Sequence, residues 1–507
     1  MRHLQLGRAL RRQTPCVGKV LIVYCGIDIG TSSIKCLIVD ERGNRLGLGR
    51  AAVGLYHTGG RYEADPLEWL QACAAAISEA RASVSASSRH IAAGGDVPIS
   101  AVAVSGNGPT LVAVGHDGLP IGRASSWMDR GATSQAERAS MAAGRPVDPS
   151  FYLPKAMRIL ETTDGGDVAS FFSGPEYLAF ALGAAPVSYR VSDYYDRFLW
   201  DAETAQSLGI DTALFPPYVE PATVIGKVST HAAEALGLPA GVPIVSGFPD
   251  FLAALVGSGV VHAGMACDRS GSSEALNVCA AAPFPDRAIF SLPHAIAGFW
   301  NLSGGLSTSG KALEWFSSVS GYSGIGSDSI YQDAQTIPPG ADGALFLPFL
   351  AGERAPIWNQ QLRGAFIGLS LAHSRKHLAR AVVESIAFGL RLTAERISDG
   401  GFAIDVARCS GGAARDDTLC AIKADILNVP VEVPDNPECE AMGDACACAV
   451  ALGHHANLAE ASLAMVRVHA RFEPTAVLRG VYDDRYSAWK AALEATIGLS
   501  GAVGAKT

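Results

Sequence analysis

The sequence feature that most constrains the fold is the run VLIVYCGIDIGTSSIKCLIVD at residues 20–40. Two apolar stretches, residues 20–29 and 34–40, have the length and composition of buried strands, and the short polar turn Gly-Thr-Ser-Ser joins them. The run therefore predicts a β-hairpin whose first strand is almost wholly apolar. The exception is Asp28, an acid placed two residues before the glycine of the turn.

The acid and the turn have two interpretations. An aspartate near a strand end can cap a turn through the backbone, and glycine with serine is ordinary turn chemistry. Alternatively, the turn binds phosphates: Gly30 lets a ligand approach the backbone, successive N–H groups form an anion nest, and Thr31 and Ser32 add hydroxyl donors. Asp28 would then hold a magnesium ion, which binds one or two carboxylates and keeps several waters. The hairpin alone leaves both interpretations open.

Length and composition exclude several classes of protein. A chain of 507 residues is too long for one hydrophobic core and favours two domains. It contains no uninterrupted apolar run of about twenty residues, which predicts no membrane span. The net charge of −9 argues against a general nucleic-acid binder. The eleven cysteines are scattered without a C-x-x-C pair, so we expect free thiols in a reducing cytoplasm.

The first nineteen residues differ from the rest of the chain. They carry five arginine or lysine side chains and no acid, and they lack the apolar core of a secretory signal. We expect residues 1–19 to be a disordered N-terminal extension. An upstream start codon and a transit peptide are the alternatives.

A second segment, MACDRSGSSEALNVC at residues 265–279, repeats the pattern of the first hairpin. An acid, Asp268, precedes a Gly-Ser-Ser turn, but it stands one residue further from the glycine, so the repeat is weak. Two such hairpins about 240 residues apart nevertheless indicate two related domains with a nucleotide between them. We place the N-terminal domain at residues 20–263 and the C-terminal domain at residues 264–498.

Strand and helix patterns alternate along both halves, which is typical of an α/β protein. Asp65 marks a helix start, where Glu68 would complete a capping box. A serine begins a long helix over residues 375–398, in which Arg380 and Glu384 have the spacing of an i,i+4 pair.

Two further glycine pairs, Gly304-Gly305 and Gly411-Gly412, come shortly before helix patterns at residues 309–316 and 416–428. Glycine before a helix start can bind an anion or lie against a flat ring, and it can equally form a simple tight turn. Each pair taken singly leaves both interpretations open.

Taken together and in this order, several segments resemble the FGGY carbohydrate kinases, a family of the actin-like, RNase H-like ATPase superfamily. The resemblance runs from about residue 20 to residue 453. It rests on the segments IDIGTSSIK (27–35), SSWMDRGA (125–132), SGFPDFLAALVGSG (246–259), SGGLSTSGKALEWF (303–316), RGAFIGLSLAHSRKHLARAVVESIAFGLR (363–391) and CSGGAARDDTLCAIKADILNVPVEV (409–433).

The resemblance implies an α/β fold of two RNase H-like (actin-like ATPase) domains that flank a central cleft. ATP would bind on the C-terminal side and the sugar on the N-terminal side. The implied activity is transfer of the γ-phosphate of ATP to a hydroxyl of a small sugar or polyol, with Mg²⁺ as cofactor. We expect a cytoplasmic protein that binds neither nucleic acid nor membrane, with a homodimer as the candidate assembly.

The resemblance also implies residue roles. Asp250 would be the general base and Asp28 the magnesium ligand. Lys35 would face the phosphates, although a solvated strand lysine is an equal alternative. The other residues implied at the ATP side are Gly30, Thr31, Ser32, Gly271, Ser272, Ser273, Gly305, Gly411 and Gly412. Those implied at the sugar side are Asn107, Trp127, Asp129, Asp250 and Phe251.

The chain departs from the family pattern in its sugar-side segments. The loop at residues 106–110, Gly-Asn-Gly-Pro-Thr, lacks the His and Met usual in xylulokinases and the Arg and Glu usual in glycerol kinases. Gly131 stands where an arginine is common, and FYLPKAMR at residues 151–158 replaces a Trp-containing segment. We expect a pentulose such as xylulose.

Two alternatives belong to other functional classes. One is a sugar- and ATP-binding regulatory member of the same fold without catalysis, because fold does not fix function. The other is an actin-like filament or chaperone ATPase, which would need neither Asp250 nor the sugar-side segments. The presence of both Asp28 and Asp250 favours the kinase over each of them.

Overall fold

The computed structural model describes residues 21–84, 97–163, 165–323 and 328–503. The predicted N-terminal extension, residues 1–19, lies outside them. Within these ranges no helix combines the length and the hydrophobicity that crossing a bilayer requires. The ten cysteines of the described ranges are all buried free thiols, as the sequence led us to expect.

The N-terminal half alternates strands and helices. Its strands are β1 (Val23–Ile29), β2 (Ser33–Asp40), β3 (Arg45–Ala52), β4 (Tyr56–Thr58), β5 (Arg61–Ala64), β6 (Ile99–Gly106), β7 (Leu111–Gly115), β8 (Ala124–Ser125), β9 (Val168–Ser173), β10 (Ser188–Tyr189), β11 (Tyr218–Val219), β12 (Val224–Lys227) and β13 (Pro243–Pro249). Its helices are α1 (Pro66–Ala82), α2 (Thr133–Ala143), α3 (Tyr152–Thr162), α4 (Gly174–Leu182), α5 (Ala202–Ser207), α6 (Thr230–Leu236) and α7 (Asp250–Gly257).

The C-terminal half has the same mixture. Its strands are β14 (Met265–Ser270), β15 (Glu274–Ala280), β16 (Phe290–Pro293), β17 (Trp300–Leu306), β18 (Leu345–Leu347), β19 (Ala365–Ile367), β20 (Val406–Gly411), β21 (Val431–Pro434) and β22 (Val468–Phe472). Its helices are α8 (Gly310–Val319), α9 (Asp328–Gln335), α10 (Arg375–Asp399), α11 (Asp417–Leu427), α12 (Cys439–Ala451), α13 (Leu458–Met465) and α14 (Arg479–Val503).

The main sheets of the two halves share one topology. The first has the strand order β12-β13-β6-β1-β2-β3 and the second β16-β17-β15-β14-β20-β21-β22. In the first, β1 is antiparallel to β2 and parallel to β6; in the second, β14 is antiparallel to β15 and parallel to β20. The two hairpins that the sequence singled out are therefore equivalent elements of equivalent sheets. A five-stranded sheet, β4-β5-β8-β7-β9, extends the N-terminal half.

Helix starts follow the sequence signals with one exception. The side chain of Asp65 caps α1 by accepting a hydrogen bond from the backbone N–H of Leu67 at 2.9 Å. The capping box that we expected from Glu68 is wrong, because this carboxylate instead accepts hydrogen bonds from the Tyr56 hydroxyl and the Gly54 N–H. Tertiary partners on the neighbouring strand segment compete with the local contact.

The halves are joined by close contact between α7 and α12. A Cβ on Gly257 would lie 1.8 Å from the carbonyl oxygen of Cys439, and one on Gly443 would lie 2.2 Å from that of Ala253. Helix α12 also lies against the first sheet, where a Cβ on Gly26 of β1 would meet the carbonyl oxygen of Ala441 at 1.9 Å. These glycines let backbones touch where a side chain would hold them apart. One hydrophobic cluster therefore includes residues of both halves.

We expect Gly443→Ala to destabilise the protein by about 1–3 kcal/mol, because the added methyl would force the two helices apart. The measurement is thermal unfolding followed by circular dichroism. Gly498→Ala is the matched control, since Gly498 lies in helix α14 with no atom within 4 Å of an added Cβ. Equal melting temperatures for Gly443→Ala and the wild type would contradict this role of the contact.

Candidate active site

The turn of the first hairpin lies at the cleft between the halves. Asp28 is the last residue but one of the buried strand β1, with 3% of its surface exposed, and its cross-strand partner on β2 is Lys35. The Oδ2 atom of Asp28 lies 3.5 Å from Nζ of Lys35, while Oδ1 is buried without a hydrogen-bond partner among the described residues. Burial raises the pKa of Asp28 to about 7 although Lys35 opposes the shift. A buried carboxylate oxygen is thus available for a cation.

Lys35 is not a solvated strand lysine in this structure. Its Nζ lies 3.0 Å from Glu438 Oε2 and 3.9 Å from Glu440 Oε2, and both acids stand at the start of α12 in the other half of the chain. Burial opposes the charge of Lys35, but Glu440, Asp28 and Glu438 outweigh it and raise the pKa of Lys35. Lys35 therefore links the first hairpin to the C-terminal half.

Asp250 is the first residue of α7 and lies at the same cleft. Its Oδ1 accepts a hydrogen bond from the N–H of Phe251 at 2.7 Å, and its Oδ2 accepts one from Nη2 of Arg269 at 2.6 Å. Nε of Arg269 lies 3.3 Å from Glu440 Oε1. Burial raises the pKa of Asp250 even though Arg269 opposes the shift. Opposite charges thus alternate from Asp28 to Asp250 across the cleft.

In the second hairpin the side chain that faces the cleft is an arginine, whereas in the first hairpin it is an aspartate. Side chains on a strand alternate between its two faces. Arg269 stands two residues before Gly271, as Asp28 stands two before Gly30, and so it occupies the equivalent cleft position. Asp268 points the other way, into the core of the C-terminal half. The sequence comparison of Asp268 with Asp28 was therefore wrong by one residue.

Asp268 belongs to a buried charge cluster beneath the second turn. The ammonium group of Lys423 of α11 contacts the carboxyl groups of both Asp268 and Glu274, and all three side chains are almost fully buried. Burial raises the pKa of Asp268 to about 6 and that of Glu274 to about 8, with Lys423 opposing both shifts. Glu274 also accepts a hydrogen bond from Ser309. The cluster connects the second hairpin to α8 and α11.

The second turn packs directly on the start of α8. The backbone N–H groups of Ser309 and Gly310 donate to the carbonyl oxygens of Ser272 and Gly271, each at 3.2 Å. Gly271 and Ser272 remain exposed and Ser273 is half-buried. Their hydroxyl groups and backbone are therefore accessible to a ligand that enters the cleft.

The two glycine pairs behave differently. Gly411 ends β20 with φ of +72°, and Gly412 beside it is exposed with open space around an added Cβ, which suits a ligand surface. Gly304 and Gly305 do not form a turn but lie within β17. A Cβ on Gly305 would lie 2.1 Å from the carbonyl oxygen of Glu274 on β15. The neighbouring strand therefore accounts for this glycine without a ligand.

Asn107 and Trp127 connect their loops to the first hairpin through side-chain hydrogen bonds. The side-chain amide of Asn107 donates to the carbonyl oxygen of Ile29 at 2.9 Å and accepts from the hydroxyl of Thr110 at 2.7 Å. The indole N–H of Trp127 donates to the hydroxyl of Thr31 at 3.0 Å. Both loops thus contact the first hairpin, and Asn107 and Trp127 are each half-buried.

Asp129 does not line an open site. It is fully buried, is ion-paired with Arg158, and accepts hydrogen bonds from Ser125 at 2.8 Å and from the N–H of Gly131 at 2.9 Å. Burial opposes its charge, but Arg158 and the other donors outweigh it and lower the pKa of Asp129. A Cβ on Gly131 would lie 2.6 Å from Nη1 of Arg158. Arg158 therefore fills the space beside the glycine that replaces the common arginine.

Helix α3, which begins within the divergent FYLPKAMR segment, supports both sugar-side loops. Lys155 is fully buried, and its Nζ donates to the carbonyl oxygens of Pro109 at 2.6 Å and Ser126 at 2.8 Å. Burial lowers the pKa of Lys155 to about 7. The lysine thus ties the loop at residues 106–110 to the segment that carries Trp127.

Sequence reasoning missed four charged residues that the structure brings to these sites: Lys155, Arg269, Glu438 and Glu440. Arg269 could have been predicted from the sequence. Asp28 stands two residues before the glycine of its turn, and the same spacing in the second hairpin selects Arg269 instead of Asp268. The two glutamates start a helix about 400 residues after Lys35, and no local pattern pairs such distant positions.

Comparison with known proteins identifies the family. The chain matches the N-terminal domain of the FGGY family of carbohydrate kinases over residues 23–145 and 195–257, and the C-terminal domain of the same family over residues 269–452. The chain belongs to the FGGY family of carbohydrate kinases. It is therefore a phosphotransferase with an alcohol group as acceptor, and sugar kinases of this family use ATP.

Individual FGGY relatives carry different substrate names. Xylulose kinase of Staphylococcus epidermidis is 28% identical over 491 residues, which are 94% of this chain and 97% of the relative. Glycerol kinase of Xanthomonas campestris pv. campestris is 27% identical over 512 residues, 93% of this chain and 98% of the relative. The structure of gluconate kinase from Lactobacillus acidophilus superposes with a TM-score of 0.79 at 22% identity, covering 96% of this chain and 99% of that one.

These FGGY similarities confirm the predicted architecture of two RNase H-like, actin-like ATPase domains flanking a central cleft. They leave the sugar open, because relatives named for a pentulose, a triol and a sugar acid resemble this chain to similar degrees.

We expect Glu274→Gln to reduce the loss of stability at alkaline pH. In the folded protein Glu274 holds its proton to a pH of about 8, well above its ordinary value, because burial disfavours its charge. The unfolded chain therefore releases that proton first, and the free energy of unfolding falls as the pH rises from about 4.5 to about 8. The neutral amide removes this dependence.

The measurement is the difference in Tm between pH 6 and pH 8.5, which should be smaller in Glu274→Gln than in the wild type by about 2 °C. Glu314→Gln is the control, because Glu314 is exposed on α8. A Tm difference in Glu274→Gln that equals that of the wild type would contradict the assignment.

Proposed function

We propose that this chain phosphorylates a neutral sugar or polyol, with a pentulose such as xylulose as the first candidate, and that Asp250 is its general base. The observation that carries the proposal is the position of Asp250. It starts α7 at the cleft, where Arg269 of the second hairpin contacts its carboxylate and where its charge acts on Asp28 of the first hairpin. A base for phosphoryl transfer must stand between the acceptor hydroxyl and the terminal phosphate.

The proposed chemistry uses residues from both halves of the cleft. Asp250 accepts the proton of the attacking hydroxyl and orients its oxygen. The turn at Gly30, Thr31 and Ser32 and the turn at Gly271, Ser272 and Ser273 supply N–H and hydroxyl donors to the phosphates. Gly411 and Gly412 offer a surface to the adenosine. Closure of the cleft would exclude water, which limits wasteful hydrolysis.

The residues present fit a magnesium ion. Asp28 offers a buried, unpartnered carboxylate oxygen, and hard oxygen donors suit this cation. Within the described ranges, no three or more His, Cys, Asp or Glu side chains form a protein-only metal site. That agrees with magnesium, which commonly binds one or two carboxylates together with waters and substrate phosphates. When bound, magnesium would neutralise phosphate charge, and Asp28 would be its ligand from the chain.

The sugar-side cations favour a neutral substrate over a sugar acid. Lys155 is fully buried and donates to two backbone carbonyls. Arg158 is 11% exposed at its side chain and is ion-paired with Asp129. A carboxylate substrate would need a cation that is not already committed, because recognition of such groups rests on charge-assisted hydrogen bonds. Asn107, Trp127 and Phe251 remain the candidates for contact with neutral hydroxyls and the carbon skeleton.

We also propose that the domains extend over residues 20–263 and 264–498. Support comes from the sheets, because the strands of the first lie between residues 23 and 249 and those of the second between residues 265 and 472.

The non-catalytic alternative, a sugar-sensing protein, would bind the same ligands without turnover.

The first experiment measures ADP release with magnesium and ATP against xylulose, ribulose, gluconate, glycerol and several aldoses. We expect one neutral sugar to give strong turnover and Asp250→Asn to lower kcat at least 100-fold with ATP binding nearly unchanged, because the amide accepts no proton. Asp328→Asn is the control, since Asp328 also begins a helix but is exposed on α9. Binding without turnover across the panel would favour the sensor, and a preference for gluconate would contradict a neutral substrate.

We expect Asn107→Ala to raise the KM for the sugar by roughly tenfold, the effect of one lost hydrogen bond, with less than a twofold change for ATP. Initial rates with each substrate varied in turn measure both constants. Asn44→Ala is the control, because Asn44 is exposed beyond the far end of strand β2. An equal change in both constants would remove Asn107 from the sugar site.

A further inference from the structure

We infer that Arg269 is a catalytic residue of this kinase, which donates hydrogen bonds to the phosphoryl group during transfer and is paired with Asp250 when no nucleotide is bound. The inference rests on the proposed function and adds a residue to it. It assigns a role to a side chain that reaches from the second hairpin to the proposed base.

The sheet topology puts Arg269 at the cleft. Asp28 on β1 is registered with Ser105 on the parallel strand β6, and Arg269 on β14 is registered with Ser410 on the parallel strand β20. The two halves therefore present a carboxylate on one hairpin and a guanidinium on the other at equivalent positions. An acid suits a cation that accompanies the phosphates, and a guanidinium suits the phosphates themselves.

The contacts leave the guanidinium able to bind a second partner. Nη2 of Arg269 donates to Asp250 Oδ2 at 2.6 Å, and Nε lies 3.3 Å from Glu440 Oε1. The hydrogen bond to Asp250 uses one of the five N–H donors of an arginine, and the contact with Glu440 is an ion pair at Nε. Because 29% of the side chain is exposed, a ligand in the cleft can reach it. A phosphate binds the planar guanidinium fork in the same bidentate manner as a carboxylate.

The position also fits the geometry of the reaction. The attacking hydroxyl must lie within hydrogen-bonding distance of Asp250 and in line with the γ-phosphorus. Arg269 is one hydrogen bond from that same carboxylate and two residues from the Gly271 turn that is proposed to hold the phosphates. A phosphoryl group passing between the base and the turn would therefore pass beside the guanidinium.

In the proposed transfer step, one P–O bond forms, another breaks, and Asp250 takes the proton. The sugar oxygen forms a bond to the γ-phosphorus while the bond from that phosphorus to the β–γ bridging oxygen breaks. The electron pair of the broken bond leaves with ADP, and the hydroxyl proton goes to Asp250. Arg269 donates to the phosphoryl oxygens, where a preorganised cation stabilises the transition state. Its departure from Asp250 also removes a positive charge that weakens this carboxylate as a base.

The test compares Arg269→Ala and Arg269→Lys with the wild type. We expect kcat for Arg269→Ala to fall roughly 100- to 1000-fold, the usual loss for one transition-state donor, with both KM values within about threefold. Added guanidinium should restore part of kcat in Arg269→Ala. Arg269→Lys should fold like the wild type and lose at least tenfold in kcat, because an ammonium lacks the planar fork. Arg471→Ala is the control, since Arg471 lies on the outer strand β22 and pairs there with Glu432 of β21 and with Glu473.

A second comparison separates contact with the phosphoryl group from an effect through Asp250. In the Asp250→Asn background, adding Arg269→Ala should lower the slow, sugar-independent hydrolysis of ATP at least tenfold, because the donor acts on the phosphate itself. An unchanged hydrolysis rate would overturn the catalytic role and leave Arg269 as a positioning residue. A kcat for Arg269→Ala within threefold of the wild type would overturn it as well.

Failure of the proposed kinase function can be distinguished from failure of the role inferred for Arg269. A wild-type chain that releases no ADP with any sugar would contradict the kinase proposal. Arg269 is then judged from sugar-independent ATP hydrolysis alone, in which Arg269→Ala must still fall below the wild type for the inference to stand.

Discussion

The contact between α7 and α12 is the constraint on which the rest of the structure depends. Glycines at the crossing let one helix backbone lie directly on the other, and α12 in turn lies on β1 of the opposite half. Each helix begins at the cleft. Asp250 is the first residue of α7, while Glu438 and Glu440 flank the start of α12. The packing that joins the halves therefore also fixes where the proposed base and its neighbouring charges stand.

The charges at the cleft form a network that includes ion pairs between the two halves. Lys35 of the N-terminal half binds Glu438 and Glu440, and Arg269 of the C-terminal half binds Asp250. Buried ion pairs are costly to form and costly to break singly, so such a network favours one arrangement of the halves. A triphosphate in the cleft would compete for the two cations, and this competition would couple its binding to the relative position of the domains.

Most of the fold and part of the site follow from the sequence. The hairpins, the caps of α1 and α10 and the buried Arg380–Glu384 pair arise from local patterns, and local patterns are visible in a sequence. The cleft face of the second hairpin was misassigned because a shift of one residue along a strand reverses the side-chain direction. Lys155 was missed because its acceptors are backbone carbonyls of distant loops. Gly305 and Asp129 were assigned from motif position, which says nothing of burial.

The contact between Gly131 and Arg158 limits which loops of FGGY relatives could replace the one in this chain. An arginine on the loop at position 131 would collide with the guanidinium that helix α3 already supplies. Grafting the loop of a relative into this chain would therefore require the matching stretch of α3 to be exchanged with it. The loop and the helix are coupled through Arg158, so an alignment of the loop alone is a poor guide to the acceptor.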